Sequence, residues 1–195
     1  MNEGRKLSMI PSEERCIRIL FDEGIHPKIV RHVCTVMRVA EAIAIKCDAN
    51  LSLVRAGALL HDLGRSRTQG IRHAIEGATL ARDLELPEEL VLIIQKHVGA
   101  GIEPKNAQEL GLPPLDYMPS TLEEKIVCHA DNLVDDHKII TLREAYLDFV
   151  EKNLEEQGEQ MLKMHRDLSE ACNMDVSQIV SQINSIDESL CSDYL

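Results

Sequence analysis

The chain reads as all-α, on three observations. Apolar residues recur at spacings of three and four rather than two. The β-branched runs are short, and no turn pair such as Asn-Gly joins alternating segments into a hairpin. The apolar residues are aliphatic: three Tyr, two Phe and no Trp in 195 residues leave Leu, Ile, Val and Ala to fill the core. That length suits one domain of ordinary size with an appended piece, and no sheet is expected.

Residues 1–11 read as a loose tail closed by Pro11. A short helix follows, with Ser12 as its N-cap and Gly24 as its stop, and Ile17, Leu20 and Phe21 on one stripe. Pro27 suits the first turn of a helix over 27–47. Its Val30, Val33, Met37, Ala40 and Ala44 form a core-facing stripe, and His32 lies on the shoulder of that stripe, one turn from Val36. Asp48-Ala49-Asn50 breaks this helix, and 51–61 reads as a third, mostly buried one. Gly64 and the polar run to Gly70 form a loop. Helical spacing resumes over 73–84, where Ala74, Ala78 and Ala81 allow close packing. Pro87 opens a helix over 88–98, with Leu90-Val91-Leu92-Ile93-Ile94 buried and His97 at its C-terminal end.

Residues 99–119 hold four prolines and little periodicity, a long connection of the kind that serves as a lid or touches substrate. Ser120-Thr121-Leu122-Glu123 is a capping-box pattern. It opens a helix that turns Ile126, Val127, Ala130, Leu133 and Val134 inward, with Asp131 among them. Beyond His137 come helices over 141–157, 159–172 and 175–190, separated at Gly158 and at Cys172-Asn173. These are more polar and carry little recognisable chemistry.

The formal net charge of −12 makes the surface as a whole repel nucleic acid and anionic membranes, so neither is expected as a partner. A small anionic substrate remains compatible if metal ions and local cations reverse the field in one cleft. The six cysteines are scattered, with no Cys-x-x-Cys pair. That argues against a thiolate zinc site and, less strongly, against a disulfide framework. The polar opening MNEGRKLSMIPSEER is no signal peptide and no apolar run is of spanning length, so a cytoplasmic protein is expected.

The chemistry centres on Ala58-Leu59-Leu60-His61-Asp62-Leu63-Gly64-Arg65, where an apolar run ends in an imidazole beside a carboxylate. Burying that pair is costly unless something pairs with both groups, and a divalent metal does so. One such histidine read alone is most simply a hydrogen-bonded core residue. The set reads differently: His32, His61, His73, His97 and Asp131 stand in five expected helices, each at a shoulder or end of an apolar stripe. Helical bundles build metal sites from such convergence. Imidazole and carboxylate without thiolate favour iron, manganese, zinc or similar ions. Neighbouring helical residues diverge by about 100°, so His61 and Asp62 serve one cluster if Asp62 bridges two ions. Two ions about 3.5–4 Å apart would activate a water and clamp both sides of a phosphoryl displacement.

The order His32 … His61-Asp62 … Asp131, within Ala56-Gly57-Ala58-Leu59-Leu60-His61-Asp62-Leu63-Gly64 and His129-Ala130-Asp131-Asn132-Leu133, resembles the signature of the HD-domain superfamily of metal-dependent phosphohydrolases. His73 in Ile71-Arg72-His73-Ala74-Ile75-Glu76-Gly77-Ala78, and His97 in Lys96-His97-Val98-Gly99, resemble the added histidines of its six-ligand, two-metal branch. Within that branch the chain is most similar to symmetrical diadenosine-tetraphosphate hydrolases. The resemblance spans about 26–137 and implies an HD-domain helical bundle, read here as 12–138; the C-terminal third lies outside it, and a helical extension over 139–195 packed on the same domain is expected. It implies that His32, His61, Asp62 and Asp131 hold a first metal, and that Asp62, His73 and His97 hold a second. The metals would be one or two divalent ions: Fe, Mn, Zn, Ni, Co or Mg.

The implied activity is hydrolysis of a phosphate ester or anhydride of a small nucleotide-like substrate through a metal-activated water, with Asp62 and Arg65 catalytic. Arg65 stands where two-metal members usually carry Lys and mononuclear nucleotidases an acid. The acidic pair of guanosine-tetraphosphate hydrolases and the Gly-Tyr-Pro segment of the cyclic-dinucleotide branch are absent. Arg67, Arg72 and Lys96 are candidate phosphate contacts, each equally readable as a surface cation. His129 is expected to face away from Asp131 and to be structural. His26, His137 and His165 are expected to have no catalytic part. Glu76 either orients His73 or is solvated. Two other functions fit the same residues, a mixed-valent di-iron oxygenase and a non-catalytic binding module. The polar C-terminal helices either cover the core or pair with a second subunit as a homo-oligomer.

Overall fold

The computed structural model describes residues 9–183. Most of the expected tail, the end of the expected last helix and Cys191 lie outside the described residues. The first five α-helices begin where the sequence places them. Ser12 caps α1 (Glu13–Asp22) by accepting from Arg15 N. His26 caps α2 (Pro27–Cys47), with Pro27 in the first turn and Asp48 closing the helix in the left-handed region at φ 54°. Asn50 caps α3 (Leu51–Leu60). A short 3-10 helix (Leu63–Ser66) stands where a loop was expected, and leads to α4 (His73–Asp83) and α5 (Glu88–Lys96).

Between α5 and α7 the expected loop contains one short helix, α6 (Pro104–Glu109), which starts at a proline. The capping box of α7 (Leu122–Asn132) sits one residue later than the sequence suggested. Thr121 and Glu124 make the reciprocal bonds, because Ser120 is itself bonded to the Glu124 carboxylate. The expectation of no sheet gives way to a two-residue antiparallel ribbon, β1 (Val134–Asp135) paired with β2 (Lys138–Ile139). Asp136 makes its turn at φ 56°, a conformation that Asp tolerates better than most residues.

The C-terminal part differs most from the expectation. It forms α8 (Leu142–Glu151), α9 (Glu155–Ala171) and α10 (Val176–Ser181). Gly158 does not separate helices but lies inside α9, where a Cβ would stand 3.1 Å from the Tyr146 ring. The break falls instead at Asn153, which takes φ 56°. Gly158 is small so that α9 can lie close on α8.

Helix α2 runs through the centre of the molecule and packs on α3, α7 and α10, its Val30, Val33, Val36, Ala40 and Ile43 fully buried. The weak argument against disulfides fails: Cys47, at the end of α2, is joined to Cys172, the cap of α9. Sequence spacing carries no signal for partners 125 residues apart. Cys34 is disulfide-bonded as well, whereas Cys16 and Cys128 are buried free thiols. Among the described residues no helix is long and apolar enough to cross a membrane.

Candidate metal centre

The six expected ligands come from helix ends and helix shoulders. His61 caps the C-terminus of α3, and Asp62 follows at φ −92° and ψ 15°, where the α-helix gives way to the 3-10 helix. That change of winding lets two adjacent side chains face one cluster. His73 is the first residue of α4, His97 caps α5, Asp131 lies in the last turn of α7, and His32 lies in the second turn of α2. Two glycines bring the 3-10 helix and α4 together. A Cβ on Gly64 would lie 1.9 Å from the His73 carbonyl oxygen, and one on Gly77 would lie 2.9 Å from Gly64 N. Backbone meets backbone there, which draws Asp62 toward His73.

The structure brings all six side chains into one continuous cluster. His32, His61 and Asp62 form a trio whose ligand atoms lie within 4.8 Å of one another, as do His61, His97 and Asp131, and Asp62, His73 and His97. Asp131 Oδ1 lies 2.9 Å from His32 Nε2 and 3.4 Å from His61 Nε2. Asp62 Oδ1 lies 3.2 Å from His73 Nε2 and 3.7 Å from His97 Nε2, while Oδ2 is 3.8 Å from His61 Nε2. Two atoms bonded to one ion at about 2.1 Å with angles near 90–109° are themselves about 3.0–3.4 Å apart. The His32–Asp131, His61–Asp131 and His73–Asp62 separations fall near that range, and the 3.7 and 3.8 Å separations from Asp62 to His97 and His61 are somewhat longer.

The tautomers are set from behind. His61 Nδ1 donates to the Ala58 carbonyl, His73 Nδ1 to Gly70, and His97 Nδ1 to Ile94, each three residues back at a helix end. His32 Nδ1 donates to the Asp136 carbonyl in the ribbon turn. A carbonyl can only accept, so every Nδ1 carries the proton and every Nε2 turns a lone pair toward the cluster. His73 Nε2 and His97 Nε2 then meet at 2.9 Å as two acceptors, a repulsive contact until a cation joins them. His61 Nε2 is likewise buried without a hydrogen-bond partner. This donor set fits a divalent ion.

Charge follows the same geometry. Burial opposes the charge on Asp62 and Asp131, yet the flanking histidines hold both carboxyls well below the usual range. Burial also opposes an imidazolium at His61, but Asp131 and Asp62 outweigh it and push that group up to about 9. His97, buried and facing two other imidazoles, is pushed down.

The expected cations are placed differently from one another. Arg65 folds back so that Nε is 2.7 Å from Asp62 Oδ1, at the cluster. Arg67 is exposed at the end of the 3-10 helix, and Arg72 is exposed and donates to the Gly111 carbonyl. Lys96 is neither a surface cation nor free to meet a phosphate: its ammonium is buried against Glu124, Asp116 and Ser120. Glu76 is half-buried near Arg72, and the group that orients His73 is the Gly70 carbonyl. His129 does face away from Asp131, bonding His165 across to α9. His26 is a helix cap and His137 pairs with Asp136. The orienting carbonyls and the Gly64–Gly77 contact have no sequence signal beyond the two glycines themselves.

Against known proteins, the HD domain family model matches residues 29–136, the span that supplies all six of these side chains. The chain belongs to the HD-domain family. Its HD domain lies in a chain 44% identical over 185 residues to a tRNA (cytidine(56)-2'-O)-methyltransferase of Picrophilus torridus, covering 94% of this chain and 54% of that protein. A protein of the same name from Thermoplasma volcanium is 42% identical, covering 90% and 52%. The chain therefore spans about half the length of these curated relatives. The fold matches the crystal structure of the L. monocytogenes phosphodiesterase PgpH HD domain in complex with cyclic-di-AMP, at a TM-score of 0.58 and 17% identity over 87% of this chain and 95% of that one.

Proposed function

We propose that the cluster binds two divalent metal ions and hydrolyses a phosphate ester or anhydride of a small nucleotide-like molecule. The observation that carries the proposal is the set of four inward Nε2 lone pairs. They are fixed by four backbone carbonyls around two carboxylates and contain a 2.9 Å contact that only a cation relieves. In this reading His32, His61, Asp62 and Asp131 hold one ion, and Asp62, His73 and His97 the other. Ions bound there would supply Lewis acidity and lower the pKa of water.

The chain's own groups supply the rest. Asp62 presents Oδ1 to His73 and His97 and Oδ2 to His61, so it could bridge two ions. Arg65 offers a fixed cation beside it for charge that develops on phosphate oxygens. The His32 and Asp131 side is the more open, with side-chain exposures of 17% and 23% against 6% and 2% for His73 and His97. Substrate approaches from there.

Membership of the HD family and the fold shared with a phosphodiesterase domain support hydrolysis. The methyltransferase name belongs to relatives about twice as long, and we assign methyl transfer to a part of them other than the HD site. A net charge of −12 disfavours RNA as the substrate of this chain. The test is metal analysis of the purified protein and of His73→Ala, with chromatography of the reaction products in Mn²⁺ on mononucleotides, dinucleoside polyphosphates, cyclic dinucleotides and short RNA. About two ions per chain, about one in the variant, and turnover of a small nucleotide that EDTA abolishes are expected. No bound metal, or cleavage of RNA alone, contradicts the proposal.

A further inference from the structure

The segment between α5 and α7 is built as a unit of its own. Its two ends touch: Ile102 N donates to the Tyr117 carbonyl, and a Cβ on Gly101 would lie 2.7 Å from the Pro119 ring. Between them Ala107, Leu112 and Tyr117 form a small apolar cluster separate from the main core, and the Tyr117 hydroxyl donates to the Pro113 carbonyl. A compact surface loop with close ends, packed by its own side chains, moves as one body.

The rest of the molecule holds this unit at few points. Ile71 and Ile75, which flank His73 in sequence, pack against the small cluster, and Arg72 donates to the Gly111 carbonyl at 3.4 Å. Gln95 donates to the Asp116 carbonyl, and Lys96 Nζ lies 3.0 Å from Asp116 Oδ2. The chain leaves His97 through Gly99, whose carbonyl accepts from Asn132 Nδ2 and Cys128 Sγ, and then Gly101, at φ 96°, a left-handed position that favours glycine.

The ion pair is asymmetric. Lys96 and Glu124 are 6% and 4% exposed at their side chains, whereas Asp116 is 61% exposed. Glu124 also accepts from Ser120 N and Thr121 N. Losing Asp116 to water therefore leaves the buried Lys96–Glu124 pair intact, and Asp116 is a releasable contact.

We propose that residues 102–117 form a lid hinged at Gly101, latched by Asp116 on Lys96, and closing over the turn that carries His73. Opening of this lid exposes the His73–His97 half of the cluster, which is the less open side, to ion exchange; that part rests on the metal-binding reading above, whereas the latch does not.

The test uses the full chain and its Asp116→Asn variant, which keeps an oxygen for Met118 N but removes the charge facing Lys96. Leu112→Ala, which thins the small cluster, serves as a second variant. Amide hydrogen exchange in residues 102–117 is expected to be about three- to tenfold faster in each variant, with the rest of the chain unchanged. Release of one of the two bound Mn²⁺ ions to EDTA is expected to quicken by a similar factor. Exchange unaltered in both variants, or raised throughout the chain, overturns the latch. Faster exchange with unaltered Mn²⁺ release overturns the gating of ion exchange. A parent that binds no Mn²⁺ overturns the metal reading, and the exchange measurements still decide the latch.

Discussion

At the scale of single residues, two devices make the cluster. One is a backbone carbonyl behind each imidazole, which selects the tautomer before any ion arrives. The other is the Gly64–Gly77 contact. Gly64→Ala would drive a methyl group into the His73 carbonyl and the α4 backbone, neither of which can rotate away. A loss of about 3 kcal/mol in urea unfolding is expected, because overpacking against backbone cannot relax. The same variant should lose metal, since Asp62 and His73 move apart. A Gly64→Ala protein of parental stability would refute the close approach. The order His32, His61-Asp62, His73, His97 and Asp131 was legible as a set of residues that belong together. The carbonyls that aim them were not, because any residue supplies a carbonyl and only the fold says which one arrives.

At the scale of elements, α7 faces two ways. One face carries Asp131 into the cluster; the other carries His129 into α9, where it meets His165, which in turn contacts Ser177 and Asp175 at the start of α10. Burial, and then His165, push His129 down to about 3, against 6.5 in the unfolded chain. Between those values the unfolded state binds the extra proton. The contribution of His129 to stability should therefore be complete above pH 6.5 and fall as pH drops below it, by up to about 1.4 kcal/mol per pH unit. His97 and His165, both pushed down by burial, act in the same direction. Guanidinium midpoints between pH 7 and 4 check this, and a flat profile would contradict the buried neutral pair. Sequence spacing did indicate that His129 and Asp131 face apart. It did not indicate what His129 would meet, since α9 lies some thirty residues away along the chain.

At the scale of the whole molecule, the C-terminal helices are fastened to the HD core. Helix α9 packs on α7 and α8, and Cys172 at its end is bonded to Cys47 at the end of α2. A cross-link closing a span of 125 residues is worth about 2–5 kcal/mol, largely through the unfolded state. The paired substitution Cys47→Ser and Cys172→Ser should lower the unfolding free energy by that amount and leave metal content unchanged. Metal loss along with stability would show that the bond also holds α2 and its His32 in place.

The sequence by itself determined the class of the fold, the starts of the first five α-helices and the residues that approach one another at the cluster. Periodicity and caps are local physics, settled within one or two turns. Tertiary structure alone decided the rest. It turned Lys96 inward to a buried ion pair, used Gly158 to pack α9 on α8 rather than to end a helix, and joined Cys47 to Cys172. It also folded residues 102–117 on an apolar cluster of their own. Each of these depends on which distant surface a side chain meets, and spacing along a chain holds no record of that.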